Sequence, residues 1–135
     1  MVRAETESNG PTNVSEFGSV KTENGFKALY AMSAYYHIEA GTKYPAVLVT
    51  AGANDPRVDP AQGAKMAARL EAATASDRPI LFRVNYDAGH GITDTIAQNV
   101  SDWSDIFTFF FWNFGDPQFQ PTVLNRKAEA QSASN

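Results

Sequence analysis

The stretch AVLVTAGANDPRVDPAQGAKMAARLEAATASDRPILFRVNY, residues 46–86, decides the fold. It begins and ends with short apolar runs, Ala46–Gly52 and Pro79–Tyr86, and such runs are typical of strands that are covered on both faces. Between them, Pro60–Ser76 has helical periodicity, and Asp59 suits the N-cap position. A strand, a helix and a strand in this order predict a right-handed crossover whose two strands are parallel.

Further helices are predicted on both sides of this unit. Gly25–Ile38 places apolar residues at helical spacing, and Thr93–Gly115 is a longer pattern closed by a glycine. Residues 1–24 are rich in Asn, Gly, Ser and Thr and are expected to be loop, and residues 118–135 form a polar tail that we expect to be disordered. The predicted order is helix, strand, helix, strand, helix, which is an α/β fold with two parallel strands.

Several side chains of the flanking helices are expected to have structural roles. His37 lies near the end of the first predicted helix, where it suits the negative end of the helix dipole. Asp102 and Asp105 are expected on the solvent face of the last helix. The aromatic cluster of the last helix is expected to lie in the core, and its members are Phe107, Phe109, Phe110, Phe111, Trp112 and Phe114.

Composition excludes several classes of function. The net charge is −4 and no basic stripe is present, so a nucleic-acid partner is not expected. The chain has no cysteine and only two histidines, His37 and His90, without a metal-binding motif, so no metal or cofactor is expected. No apolar run is long enough to cross a membrane and the N-terminus has no signal-peptide core. We expect a soluble protein whose compartment, cytoplasm or periplasm, stays open.

The loops that follow the two predicted strands carry the candidate catalytic residues. Asp55 lies in GANDPRVD after the first strand, and His90 lies in DAGHG after the second. Carboxyl ends of neighbouring parallel strands meet at one edge of a sheet, where functional loops gather. A carboxylate that holds one imidazole nitrogen makes the histidine a general base, and Asp87 competes with Asp55 for that role. The residues alone leave a second interpretation open, in which Asp55 is a turn residue and His90 is an idle surface side chain.

These loops and the helix between them resemble a known family of enzymes. The resemblance is to the C-terminal part of the catalytic domain of prolyl oligopeptidase, a serine peptidase with the α/β-hydrolase fold, and it covers residues 1–117. The helix KMAARLEAA and the stretch EFG near the start are similar as well. The pattern G-x-x-D-x-R-V-x-P and the motif A-G-H-G carry the resemblance, at Gly52, Asp55, Arg57, Val58, Pro60 and Ala88–Gly91.

The resemblance implies roles for three residues. Asp55 would orient the base, and His90 would be the base. Arg57 would hydrogen-bond a carbonyl of the substrate peptide. The implied reaction is hydrolysis of the peptide bond after proline in an oligopeptide, without a cofactor. Pro56 stands where some members of the family carry a second acidic residue, and we expect little consequence for the catalytic residues.

The sequence departs from the family in one large respect. The nucleophilic serine of an α/β-hydrolase lies in a G-x-S-x-G turn, and this chain contains no such motif. We therefore expect the chain to be the last part of a larger enzyme, to need the N-terminal part as a partner, and to be inactive alone. Two alternatives stay open: part of an acyl-aminoacyl peptidase or esterase, and a non-catalytic module that binds a partner through an exposed sheet edge.

Overall fold

A computed structural model describes residues 2–7, 10–91 and 95–121 of the chain. The residues form two compact units, Met1–Asp102 and Trp103–Asn135, and each is described by itself. The helices are α1 Val14–Phe17, α2 Glu23–Met32, α3 Pro60–Ala73 and α4 Ile96–Phe114, the strands are β1 Val47–Gly52 and β2 Ile80–Asn85, and short 3-10 turns lie at Ala4–Thr6, Pro11–Asn13, Ala34–His37 and Pro117–Phe119.

The sheet confirms the predicted α/β class. In the described part of the chain it has two strands, β1 and β2, which are parallel and paired from Val47 opposite Ile80 to Gly52 opposite Asn85. The crossover helix α3 lies against both strands. A Cβ at Gly63 on this helix would approach side-chain atoms of Val49 and Phe82 to 3.1 Å, so the small residue allows close packing of α3 on the sheet.

The boundaries of α3 follow from two polar side chains. The carboxylate of Asp59 accepts a hydrogen bond of 2.8 Å from the Ala61 N–H, which confirms the predicted N-cap. The helix ends at Ala73, three residues before the predicted end. Thr74 is extended there, and its hydroxyl accepts a hydrogen bond from the Ser76 N–H. A local bond of this kind competes with continued helix.

The first predicted helix was placed wrongly at both ends. It begins at Glu23, because the Thr22 hydroxyl accepts from the Gly25 N–H and caps it. It ends at Met32, since buried Ser33 is extended, and a 3-10 turn follows. The N-terminal region predicted to be loop also contains α1 and two 3-10 turns.

Helix α4 begins with a reciprocal cap that the sequence prediction did not include. The Thr95 hydroxyl accepts from the Gln98 N–H, and the Gln98 side chain accepts from the Thr95 N–H. The helix therefore starts at Ile96, and the predicted start at Thr93 lies outside the described residues. At its other end Gly115 has a φ of +88°, the left-handed conformation that commonly closes a helix.

The expectation that the aromatic cluster of α4 lies in the core was wrong for most of its members. Phe109 is buried, whereas Phe107, Phe110, Phe111 and Phe114 are 43–80% exposed. A helix turns through a full circle in 3.6 residues, so six aromatic residues within eight positions necessarily point in several directions.

None of the helices in the described ranges combines the length and the hydropathy that a bilayer span requires. The predicted tail begins inside the 3-10 turn Pro117–Phe119, and positions 122–135 lie outside the described residues. The predicted domain boundary at residue 117 stays a prediction.

Candidate active site

The two sequence-predicted loops begin side by side. Gly52 at the end of β1 is in register with Asn85 at the end of β2, so the chain leaves both strands at the same edge of the sheet. Asp55 follows β1 by three residues and His90 follows β2 by five. Their side chains meet: Oδ2 of Asp55 lies 2.8 Å from Nδ1 of His90.

Backbone hydrogen bonds hold these two loops together. The Ala53 N–H donates to the Asn85 carbonyl at 2.9 Å, and the Asn54 N–H donates to the Ala88 carbonyl at 3.1 Å. The side chain of Asn54 adds a bond of 2.8 Å to the Tyr86 carbonyl. The residue before Asp55 is thus tied twice to the loop that carries His90, and the distance between the two loops is fixed.

Gly52 is required by the close approach of the histidine loop. A Cβ at this position would lie 2.2 Å from the Gly89 carbonyl oxygen and 2.7 Å from that of Ala88. Gly91, directly after His90, has a φ of +83°, a conformation that residues with a side chain rarely adopt. One glycine therefore permits the contact between the loops, and the other permits the turn after the histidine.

The carboxylate of Asp55 is fixed by three hydrogen bonds. Oδ1 accepts from the N–H groups of Arg57 (2.8 Å) and Val58 (2.9 Å), and Oδ2 contacts His90. The Asp55 side chain is 12% exposed. This burial opposes ionisation, but hydrogen bonds from the Val58 N–H, His90 and the Arg57 N–H outweigh it and lower the pKa of Asp55. The group is therefore a carboxylate at neutral pH.

This geometry prepares the imidazole of His90 for proton transfer. A carboxylate accepts hydrogen bonds only, so neutral His90 carries its proton on Nδ1, facing Asp55, and Nε2 keeps its lone pair. The His90 side chain is 37% exposed, so the ring is accessible. A base with one nitrogen held by a carboxylate and the other available is the arrangement that activates a hydroxyl nucleophile.

The structure separates the remaining candidates from this pair. Asp87 is exposed, and its N–H donates to the Asn85 side chain, so the carboxylate at the His90 ring is that of Asp55. Arg57 is exposed, and its N–H donates to Asp55. His37 contacts the Ala31 carbonyl in the last turn of α2, as its predicted structural role requires.

Sequence reasoning missed a polar cluster beside the histidine loop. Asp102 was expected on the solvent face, which is wrong: its side chain is 27% exposed, and its carboxylate lies 2.7 Å from the Arg83 guanidinium. Asn85 donates to the same carboxylate at 3.2 Å. The available signal was Arg83 itself, since a cation inside an apolar strand requires a counter-charge. Within the described ranges, no group of three or more possible metal ligands comes together.

The sequence profile of the prolyl oligopeptidase family matches residues 3–117. The chain belongs to the prolyl oligopeptidase family. It is 34% identical over 90 residues to a prolyl endopeptidase of Elizabethkingia miricola, a match that covers 67% of this chain and 13% of that protein. Members of the family are serine peptidases with the α/β-hydrolase fold, and the resemblance seen in the sequence is confirmed.

Solved structures agree with this assignment. The structure of a prolyl endopeptidase superposes with a TM-score of 0.78 at 33% identity and covers 82% of this chain and 16% of its own. Prolyl oligopeptidase B from Galerina marginata, bound to a 35-residue hydrolysis and macrocyclization substrate, gives a TM-score of 0.77 at 25% identity over 85% of this chain and 16% of its own. The chain therefore spans roughly one seventh of the length of these relatives.

Proposed function

We propose that this chain supplies two members of the serine, histidine and aspartate triad of a proline-specific serine peptidase: His90 as the base, and Asp55 as the carboxylate that orients it. The observation that carries the proposal is the contact of 2.8 Å between Asp55 Oδ2 and His90 Nδ1, at the ends of adjacent parallel strands in a member of this family. The substrate class, oligopeptides cleaved after proline, rests on the similarity to prolyl endopeptidases.

The proposed proton path begins at Nε2 of His90. This nitrogen would take the hydroxyl proton of a serine as the oxygen attacks the peptide carbonyl, and would return it to the leaving amine. The imidazolium that forms between these steps faces the ionised carboxylate of Asp55. The two backbone N–H groups on Oδ1 keep the carboxylate in place, so the ring does not need to reorganise during the reaction.

The nucleophile would come from sequence other than the 135 residues of this chain, because a G-x-S-x-G turn is not among them. Arg57 is proposed to bind a carbonyl of the substrate peptide. Its own N–H is held by Asp55, which fixes its backbone beside the base, while its side chain is exposed. A guanidinium in that position can donate two hydrogen bonds to one substrate.

A chimera tests the proposal. In the Elizabethkingia miricola prolyl endopeptidase, the segment that matches this chain would be replaced by this chain, and cleavage of a fluorogenic peptide containing proline would be measured. We expect activity that falls by about 10⁴-fold or more in the His90→Ala variant, since a triad acts as a unit. The 135-residue chain alone should not turn over the same peptide above background.

Matched controls make the outcome decisive. His37→Ala removes the other histidine, which contacts a backbone carbonyl in α2, and should leave cleavage unchanged. An acyl ester without proline serves as a second substrate. A folded chimera that cleaves the ester but spares the peptide would favour an esterase-like function, and a folded chimera whose peptide cleavage survives His90→Ala would remove the catalytic role altogether.

A further inference from the structure

A partly buried ion pair lies next to the histidine loop and takes no part in the proposed proton path. Nη1 of Arg83 on β2 lies 2.7 Å from Oδ1 of Asp102 on α4, and the two side chains are 20% and 27% exposed. The same carboxylate accepts from Nδ2 of Asn85, at 3.2 Å to Oδ1 and 3.5 Å to Oδ2. Asp102 therefore contacts the last residue of the strand from which the histidine loop departs.

The carboxylate of Asp102 dictates which way the Asn85 amide faces. A carboxylate only accepts hydrogen bonds, so the amide must turn its NH₂ toward Asp102 and its oxygen away. On that other side the oxygen, Oδ1, accepts from the Asp87 N–H at 3.1 Å. The reversed amide would set an oxygen against a carboxylate and an NH₂ against an N–H, which makes both contacts repulsive.

Asn85 in turn fixes the start of both loops. Its backbone carbonyl accepts from the Ala53 N–H at 2.9 Å and from the Ala88 N–H at 3.4 Å. Ala88 then accepts from the Asn54 N–H through its own carbonyl. The turn at residues 85–88 is thus held by the Asn85 side chain on one side and by the aspartate loop on the other, and His90 follows two residues later.

We propose that Asp102 is a positioning residue for His90, which acts through the orientation of the Asn85 amide. The contact between His90 and Asp55 then depends on three successive interactions: Asp102 orients the Asn85 amide, Asn85 holds the turn at residues 85–88, and this turn positions the imidazole of His90. A contribution of Asp102 to catalysis rests on the proposed function, whereas its effect on the position of the His90 ring does not.

The tautomer of His90 is the quantity to measure. In the 135-residue chain labelled with ¹⁵N-histidine, the ring nitrogen shifts report which nitrogen carries the proton. The contact with Asp55 favours the Nδ1–H form in the original chain. Asp102→Asn has the same shape but lets the Asn85 amide adopt either orientation. We expect the ratio of Nδ1–H to Nε2–H at His90 to fall by about tenfold, the change in an equilibrium that the loss of one hydrogen bond to a charged group produces. His37 in the same spectra is an internal reference.

Two further variants separate orientation from simple tethering. Arg83→Gln removes the ion pair but keeps the bond between Asp102 and Asn85, so we expect lower stability and an unchanged His90 tautomer. The double variant Asn85→Asp with Asp102→Asn moves the carboxylate to position 85. There its oxygens accept from the Asp87 N–H and from the amide at position 102, so we expect the original tautomer ratio to return. Asp77→Asn, an exposed aspartate, controls for the lost charge.

The results decide between the alternatives. Loss of the tautomer preference in Asp102→Asn and its return in the double variant support the positioning role. An unchanged ratio in Asp102→Asn, or an equal loss in Arg83→Gln, overturns it. The proposed function fails separately, if the chimera cleaves peptide without His90, and that result leaves the tautomer measurement standing.

Discussion

The substitution Gly52→Ala is expected to push apart the two loops that carry Asp55 and His90. The added Cβ would lie 2.2 Å from the Gly89 carbonyl oxygen, and real Cβ contacts essentially never fall below 3.0 Å. The histidine loop must therefore retreat by at least ~0.8 Å, since repulsion between non-bonded atoms rises steeply at short range. A displacement of that size would stretch the distance of 2.8 Å between the side chains to about 3.6 Å, which is no longer a hydrogen bond.

The cost in stability of Gly52→Ala depends on which atoms the added Cβ meets. Both clashing atoms belong to backbone, which cannot move aside as the end of a flexible side chain can. We therefore expect a loss of about 2–3 kcal/mol in the free energy of unfolding, at the upper end of the range for added bulk. In the chimera, a displacement of about 1 Å at the base should lower the rate of peptide cleavage by roughly 10²-fold.

Urea unfolding of the Gly52→Ala variant measures the loss of stability, and the ring nitrogen shifts of His90 report the lost contact with Asp55. Gly41→Ala is the matched control, because Gly41 has a φ of +82° and open space where a Cβ would lie. That change should lower stability by about 1 kcal/mol through backbone strain alone and leave the His90 tautomer as it was. If Gly52→Ala keeps both the stability and the ring shifts of the original chain, the close approach at Gly52 does not hold the pair in place.

Three other perturbations have definite outcomes. The pKa of Asp55 is lowered in the folded chain, so its carboxylate stabilises the fold fully above the ordinary aspartate pKa of about 3.9, and this stabilisation is lost as pH falls from there through the folded pKa. The variant Asp55→Asn cannot lose it, so urea unfolding should show that acid lowers the stability of this variant less than that of the original chain. In the chimera, Arg57→Ala should raise KM for the proline peptide more than it lowers kcat, and an effect on kcat alone would contradict the binding role. The isolated chain should self-associate in sedimentation experiments through the edge of Val47–Gly52 that does not face β2, and Thr50→Lys should reduce this association; a monomer with a single cooperative transition of about 5–15 kcal/mol would contradict the prediction.

The strand, helix and strand order could be predicted because each element carries its own pattern, a continuous apolar run in each strand and helical periodicity between them. The start of α3 could be predicted as well, from its Asp59 cap, but several other helix ends could not, since single side chains decide them. Ser33 stops one helix, Thr74 stops another, and the reciprocal bonds of Thr95 and Gln98 start a third. The Thr74 hydroxyl makes a local hydrogen bond that competes with the helix, whereas the bonds of Thr95 and Gln98 cap one, and a hydrophobic pattern records neither kind.

The candidate site was predictable in part for a topological reason. Parallel strands bring their following loops to one edge, so Asp55 and His90 could be expected to meet. Residue spacing alone did not decide between Asp55 and Asp87, because the choice depends on the direction in which each loop leaves its strand; the resemblance to the family selected Asp55. Asp102 escaped prediction because its partners, Asn85 and Arg83, belong to strand β2 and precede it by 17 and 19 residues, a separation that no local sequence pattern spans.

Among the described residues, the contacts that hold Asp55 against His90 arise within the strand–helix–strand unit and the first two turns of α4. Oδ1 of Asp55 is held by the two N–H groups that follow it, and the histidine loop is held by Ala53, Asn54 and Asn85. None of these bonds involves a nucleophile, so the pair does not require one for its geometry. A base whose tautomer is fixed in advance needs no rearrangement when a serine hydroxyl arrives, and preorganisation of this kind lowers the barrier to proton transfer. The tautomer of His90 in the chain alone therefore measures how much of the proposed catalytic arrangement exists before the rest of the active site is added.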